Sequence, residues 1–254
     1  MVTQLDQVTQ SLRETVLSGV YEPGEALREV AVADGLMVSR TLARLAMGAL
    51  EQEGLLIRMP NRGFRVRLFT VDEVADAIEV RGELEALAAR QAAERGLPAA
   101  QERRMRKILE EASALSDQGL TDIAARTRWI DLNAAFHDRI LEAASNKALL
   151  PAILNICRVP LAGPRAIVFN SAQPEKGLIQ VRAAEEDHHQ ILDAIINRQG
   201  TRAASLIREH AYRSGRNKRV NFEALQNARL SPSLPGIALV RRVGETIQPQ
   251  ADSG

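Results

Sequence analysis

Val38-Ser-Arg-Thr-Leu-Ala-Arg-Leu-Ala-Met-Gly-Ala-Leu50 is the stretch from which the fold can be read. Ser39 is the kind of residue that starts a helix, because its hydroxyl accepts a hydrogen bond from a backbone N–H of the first turn. Behind it, Leu42, Leu45, Ala46, Ala49 and Leu50 recur at the spacing of a buried helical face, leaving Arg40, Thr41 and Arg44 towards another face. Just upstream, a shorter helix is expected from about Leu27 to Asp34, with Gly35 as its stop. Further back, Leu5, Val8, Leu12, Val16 and Leu17 share one helical stripe that Gly19 ends, and Tyr21-Glu-Pro-Gly24 forms a turn. Two short helices joined by a tight turn, the second with arginines near its start, are the sequence form of a helix-turn-helix.

Downstream of Gly54 the periodicity changes. Leu55–Met59 and Phe64–Leu68 read as two short strands around Pro60-Asn-Arg-Gly63, a turn with Arg62 at its tip. A hairpin directly after a recognition helix is a wing, placed to reach the sugar-phosphate backbone or the minor groove. The net charge of +1 does not by itself announce a nucleic-acid binder, but its distribution does. Between Arg40 and Phe69 six arginines face two glutamates, and arginine is the side chain suited to forked contacts with phosphates and guanine edges.

The rest of the chain is helical by pattern. Aromatics make up only 3% of it, while Ala and Leu abound, which favours helices over a large sheet. Helices are expected at about 71–94, 99–117, 121–144, 147–157, 175–198 and 201–227, with Pro160, Pro164 and Pro174 marking an irregular connection. The tail from 229 to 254 reads as extended or disordered, except for Ile237-Ala-Leu-Val240, which has the apolar character of a docking segment. One cysteine, Cys157, excludes an internal disulfide framework. No apolar run approaches the ~18 residues of a bilayer span, and the expectation is a cytoplasmic protein with no membrane partner. The expected fold class is mainly α, with an N-terminal winged helix-turn-helix (residues 1–69) and a C-terminal antiparallel helical bundle (residues 70–228).

Within the helical part, Asn133 and His137 stand one turn apart on one helix face. The other three histidines, His188, His189 and His210, also lie in helical stretches, and ligand-type residues on separate helices can converge inside a bundle. His189 points about 100° away from His188, towards the surface. Arg81, one turn from Glu85, is either a partner for a bound carboxylate or one half of a helix-surface salt bridge, with Arg165 and Asn155 as further pocket candidates. Three histidines with an open coordination position are also the grammar of a hydrolytic zinc site. Against an enzyme, the chain has no His-Glu-x-x-His, no Gly-rich phosphate loop and no Gly-x-Ser-x-Gly elbow. A metal-dependent hydrolase and a metal-free ligand sensor therefore stand as alternatives.

Residues 5–69 resemble the DNA-binding domain of GntR-type bacterial transcription regulators. The resemblance rests on Leu17-Ser-Gly-Val-Tyr-Glu-Pro-Gly24, Leu27-Arg-Glu-Val30, Val38-Ser-Arg-Thr41, Leu50-Glu-Gln-Glu-Gly-Leu55 and Pro60-Asn-Arg-Gly63, in order and with the family's spacing. It implies DNA contacts by Ser39, Arg40, Thr41 and Arg44, support from Arg28, and a wing contact by Arg62 and Gly63. Leu42 stands where the family usually has Pro, and Leu45 where Glu is common, which bears on the operator sequence.

Residues 72–222 resemble the helical effector domain called FCD, of the FadR subgroup. The matching pieces are Glu79-Val-Arg81 with Leu84-Glu85, Asn133-Ala-Ala-Phe-His137, Ser145-Asn146, Asp187-His188-His-Gln-Ile-Leu-Asp-Ala-Ile195 and Ile207-Arg-Glu-His210. That resemblance implies a divalent metal on Asn133, His137, His188 and His210, with Asn133 in place of the family's Asp. Imidazole ligands favour Zn or Ni over Mg or Ca. Since an amide brings no charge, a small organic-acid effector is expected to supply the missing anion, meeting Arg81 and the same four residues. The implied function is a ligand-responsive repressor, a homodimer on a double-stranded DNA operator with two half-sites.

Overall fold

The computed structural model describes residues 3–60, 63–167, 174–227 and 235–242. The chain divides into two compact units, residues 1–73 with 158–160 and 232–254, and residues 74–157 with 161–231.

In the first unit, helix α1 (Gln4–Leu17) opens with a capping box, in which the Thr3 hydroxyl accepts from the Asp6 N–H and the Asp6 carboxylate accepts from the Thr3 N–H. Strand β1 (Ala26–Leu27), helices α2 (Glu29–Leu36) and α3 (Arg40–Gln52), and strands β2 (Leu56–Met59) and β3 (Gly63–Val66) follow. The three strands form an antiparallel sheet in the order β1-β3-β2, with Leu27 opposite Phe64 and Arg58 also opposite Phe64. Phe64 and Val66 are buried while Arg65 between them is exposed, the alternation that a half-buried strand requires.

Three expectations change here. Leu27 does not start the second helix. Its backbone pairs with β3 and its side chain is buried, so the helix begins at Glu29. Nor does Gly35 stop that helix. The helix runs to Leu36 and turns at Met37, which takes a left-handed conformation (φ 53°) while the Val38 N–H returns to the Ala33 carbonyl. Finally, the buried face of α3 is Ala43, Ala46, Met47 and Leu50, whereas Leu45 is 53% exposed. Leu45 therefore lies on the exposed side of the helix one turn after Thr41 and next to Arg44, both also exposed.

Strand β4 (Phe69–Thr70) pairs in parallel with β5 (Val240–Arg241), Phe69 lying opposite Val240. A turn of 3-10 helix, Ile237–Leu239, leads into β5, and Leu239 and Val240 are fully buried. The apolar segment in the tail thus completes this unit, while residues 228–234 and 243–254 lie outside the described residues.

The second unit holds most of α4 (Val71–Arg95), then α5 (Ala99–Asp117), α6 (Ile123–Ala144), α7 (Leu149–Ile156), α8 (Pro174–Ile196) and α9 (Gly200–Asn227). Thr70 caps α4 in a reciprocal pair with Glu73, the two hydrogen bonds being 2.7 and 3.1 Å long. The main core joins Ala86, Ala89 and Ala93 of α4 to Phe136 and Ile140 of α6, Ile191 and Ile195 of α8, and Ile207 of α9. Small residues on α4 let its neighbours come close. At Gly82 the approach is tightest, and a Cβ added there would lie 2.4 Å from the Ala211 Cβ of α9. A second cluster surrounds Trp129, whose indole N–H donates to the Glu185 carboxylate at 2.6 Å while Ser116 donates to its other oxygen at 2.7 Å. These contacts fix α6 against α8, the two helices that carry His137 and His188.

Candidate functional site

His137 of α6, His188 of α8 and His210 of α9 converge in the interior of the helical unit. All three are buried, their ring centroids lie 4.7–5.5 Å apart, and their ligand nitrogens lie within 4.8 Å of one another. Bonds of 2.0–2.1 Å to a tetrahedral ion would place such nitrogens about 3.3 Å apart, a closure that small ring movements provide. Burial, and next the neighbouring His210 and His137, push the pKa of His188 well below its usual value. Burial also lowers that of His210, outweighing the opposing Asp187. Both rings are therefore neutral near pH 7, the form in which imidazole binds a metal.

Two carboxylates stand behind the rings. Asp187 lies 3.1 Å from Nδ1 of His210, and Glu85 lies 3.1 Å from Nδ1 of His137. A carboxylate on Nδ1 holds the proton there and leaves Nε2 as the coordinating atom. The Nε2 of His188 is buried without a hydrogen-bond partner. An orphaned nitrogen of this kind costs free energy unless something binds it. Three imidazoles, two of them backed by carboxylates, are a donor set that fits a divalent transition metal.

Asn133 lines the same cavity as His137 and His210. Its Nδ2 donates to the Pro164 carbonyl at 2.7 Å, which leaves the carbonyl oxygen Oδ1 as the end able to coordinate.

Glu85 and Asp187 bring carboxylate charge to the rings that chain spacing does not reveal, beside the neutral amide of Asn133. Burial alone would raise the pKa of Glu85, but the charges of His137 and Arg81 hold it at about 2. Each carboxylate is in turn matched by a guanidinium, Arg81 Nε at 3.4 Å from Glu85 and Arg213 at 2.6 Å from Asp187. A metal ion held by the three rings would thus keep its own charge available to an anion.

The cavity beside the histidines is about 90 Å³ and is lined by Arg81, Asn133, His137, Asp187, His210 and Lys218, with apolar walls from Ile78, Trp129 and Val181. Arg81 is buried and also donates to the Ala162 carbonyl. The two further candidates fall elsewhere. Arg165 is exposed in an ion pair with Asp131, and Asn155 is exposed on α7. His189 is exposed, near Ser113, as its helical phase required. Burial pushes the Cys157 thiol up, away from nucleophilic chemistry. Lys218, Asp187 and Arg213 were not picked out as site residues. A signal for Lys218 existed: His210, Arg213, Ser214, Asn217, Lys218 and Asn221 are polar at helical spacing along one face of α9.

In the first unit, Arg40, Thr41, Arg44 and Arg28 are exposed. Arg44 has only a loose pair with Glu29 at 3.9 Å, so its guanidinium can turn to a new partner. Ser39 caps α3, accepting from the Leu42 N–H at 3.2 Å. Gly63 has φ 79°, and a Cβ there would lie 2.8 Å from the Leu27 carbonyl, so the first turn of β3 needs glycine. Arg62 lies outside the described residues.

A winged helix with exposed arginines, followed by a helical unit enclosing a polar cavity, defines a DNA-binding transcription regulator. The chain belongs to the bacterial regulatory proteins of the gntR family, which match residues 4–66, and it carries an FCD domain at residues 76–213. It is 28% identical over 191 residues to the Nta operon transcriptional regulator of Aminobacter aminovorans, covering 75% of this chain and 82% of that one. To the HTH-type transcriptional regulator YdhC of Bacillus subtilis it is 29% identical over 159 residues, 60% of this chain and 69% of the other. Among solved structures, Escherichia coli McbR/YncC shares the fold with a TM-score of 0.59 at 21% identity, covering 90% of this chain and all of that chain. A GntR regulator from Rhodococcus sp. RHA1 gives 0.56 at 18% identity, with 85% and 98% covered. The family and these relatives are transcription regulators, which sets the hydrolase alternative aside. Among the described residues no helix is long and apolar enough to cross a membrane.

Proposed function

We propose that the protein is a cytoplasmic, homodimeric repressor whose operator affinity falls when a small organic acid enters the His-lined cavity. In this reading residues 1–69 bind DNA and residues 70–228 bind the effector and supply the dimer contacts. The observation that carries it is the buried triad His137, His188 and His210, of which His137 and His210 line a cavity that Arg81 also lines. A divalent metal on the triad, Zn or Ni, would supply Lewis acidity and a coordination position for a carboxylate. His137 and His210, oriented by Glu85 and Asp187, would hold it, with Asn133 Oδ1 beside them, and Arg81 would pair with the effector's carboxylate. Because α4, α6, α8 and α9 all contribute, occupancy would bias their packing. Through the dimer, it would then shift the spacing of two winged helices reading half-sites about one DNA turn apart.

Two measurements test this. Metal binding to metal-free protein is expected to tighten in the presence of small carboxylates, which also release a DNA operator selected from random sequence. Equally tight metal binding with and without them, and no release, would remove the effector from the scheme. On the DNA side, Arg40, Thr41 and Arg44 would meet the major groove, with Arg28, Ser39 and the wing residues Arg62 and Gly63 alongside. Arg44→Ala should cost about 1–3 kcal/mol at one base pair and relax the preference there. A uniform loss over all sequences in a binding-site selection would make Arg44 a phosphate contact instead.

A further inference from the structure

We propose that Lys218 forms a second anion-binding position in the cavity, so that the effector is a dicarboxylate or comparable dianion, not a monocarboxylate. This rests on the metal-and-carboxylate reading of the same cavity and adds the chemistry of the ligand's far end.

Lys218 sits on α9 two turns beyond His210 and is 7% exposed, yet it lines the cavity. Among the described residues no acceptor or carboxylate pairs with its ammonium. The other two cations of the cavity are engaged. Arg81 lies against Glu85 and donates to the Ala162 carbonyl, and Arg213 is bound to Asp187. Lys218 is the cation left over. A buried ammonium without a partner is costly, and such a group tends to shed its charge. Burial, and then the nearby charge of Arg81, push its pKa down to about 7. A chain that places a lysine there without a counter-charge leaves room for one to arrive with the ligand.

The surroundings narrow the class. Asn217 and Asn221 flank Lys218 on α9 and line the same cavity, and Asn221 donates to Gln180 at 2.9 Å, which leaves amide groups to bond carboxylate oxygens. The apolar part of the lining is Ile78, Trp129, Ile167 and Val181, suited to a short hydrocarbon body. A small α,ω-diacid brings both kinds of group, methylenes and a carboxylate at each end.

The test uses full-length, metal-loaded protein in calorimetry against malonate, succinate, glutarate and adipate, each matched to the monocarboxylate of equal carbon number. At least one diacid should bind about tenfold or more tighter than its monoacid match, the worth of one charge-assisted hydrogen bond. Lys218→Met should erase that preference with little change for the monoacids, and Lys218→Arg should retain it. Without metal or ligand, Lys218→Met should melt about 2–4 °C higher, since an unpaired buried charge is gone. A diacid preference that survives in Lys218→Met, or no preference in the wild type, overturns the Lys218 position and leaves the metal-and-carboxylate reading standing. A lower melting point for Lys218→Met also overturns it, by making the lysine structural. No binding of any acid to the wild type defeats both readings together.

Discussion

His188→Ala is expected to abolish the response to effector while leaving operator binding intact. His188 lies outside the winged helix, its Nε2 is buried without a hydrogen-bond partner, and the two triad carboxylates stand against the other rings, His137 and His210. Removing an outer carboxylate from a histidine-metal site weakens metal binding about 10–100-fold, and removing a ligand itself should exceed that. Metal affinity of the purified variant should therefore fall by more than about 100-fold. The cost to the metal-free fold should be small. The variant loses the ring's contact with Phe136, 4.6 Å away, but also discards a buried unsatisfied nitrogen. Operator binding by fluorescence anisotropy, with and without acid, separates the outcomes. Loss of DNA binding along with effector response would make His188 a structural residue, and unchanged metal affinity would place the metal elsewhere.

The second large effect comes from packing. Gly82→Ala adds a Cβ 2.4 Å from that of Ala211, so α4 and α9 must separate. Overpacking of this kind typically costs about 1–3 kcal/mol, which outweighs the roughly 1 kcal/mol that alanine gains over glycine in a helix. The melting point should drop by several degrees. Metal binding should weaken too, because α4 carries Glu85 and α9 carries His210. Ala211→Gly in the same chain returns the space, and the double variant should recover metal affinity even though its helix propensity is lower. A Gly82→Ala protein that melts higher than wild type would mean that the two helices do not meet at these residues.

Much of this protein was legible in its sequence because the signals are local. The capping residue Ser39, the alternation at Phe64 and Val66, and the proline- and glycine-marked joins each act within a few residues of where they stand. The errors came where a distant partner decided. Leu27 left its helix because β3 offered backbone hydrogen bonds, and Val240 became a strand because Phe69 lay beside it. Leu45 faces outward because the phase of α3 is set by Ala43, Ala46 and Met47.

The same division holds for the site. Asn133 and His137 share one helix face, and the resemblance to the FCD domain is what joins them to His188 and His210 as a four-residue cluster. Its electrostatics belong to the tertiary structure. Glu85 is 52 residues from His137 and Asp187 is 23 from His210, counted from their residue numbers, and no periodicity brings such pairs together. Only the packing of α4, α6, α8 and α9 sets carboxylates behind two of the rings and leaves the His188 Nε2 buried without a hydrogen bond. The sequence by itself determined the winged helix, the helical fold that follows it and a set of candidate binding residues. Burial decided which of those charges are compensated, because a charge is expensive only where water is excluded.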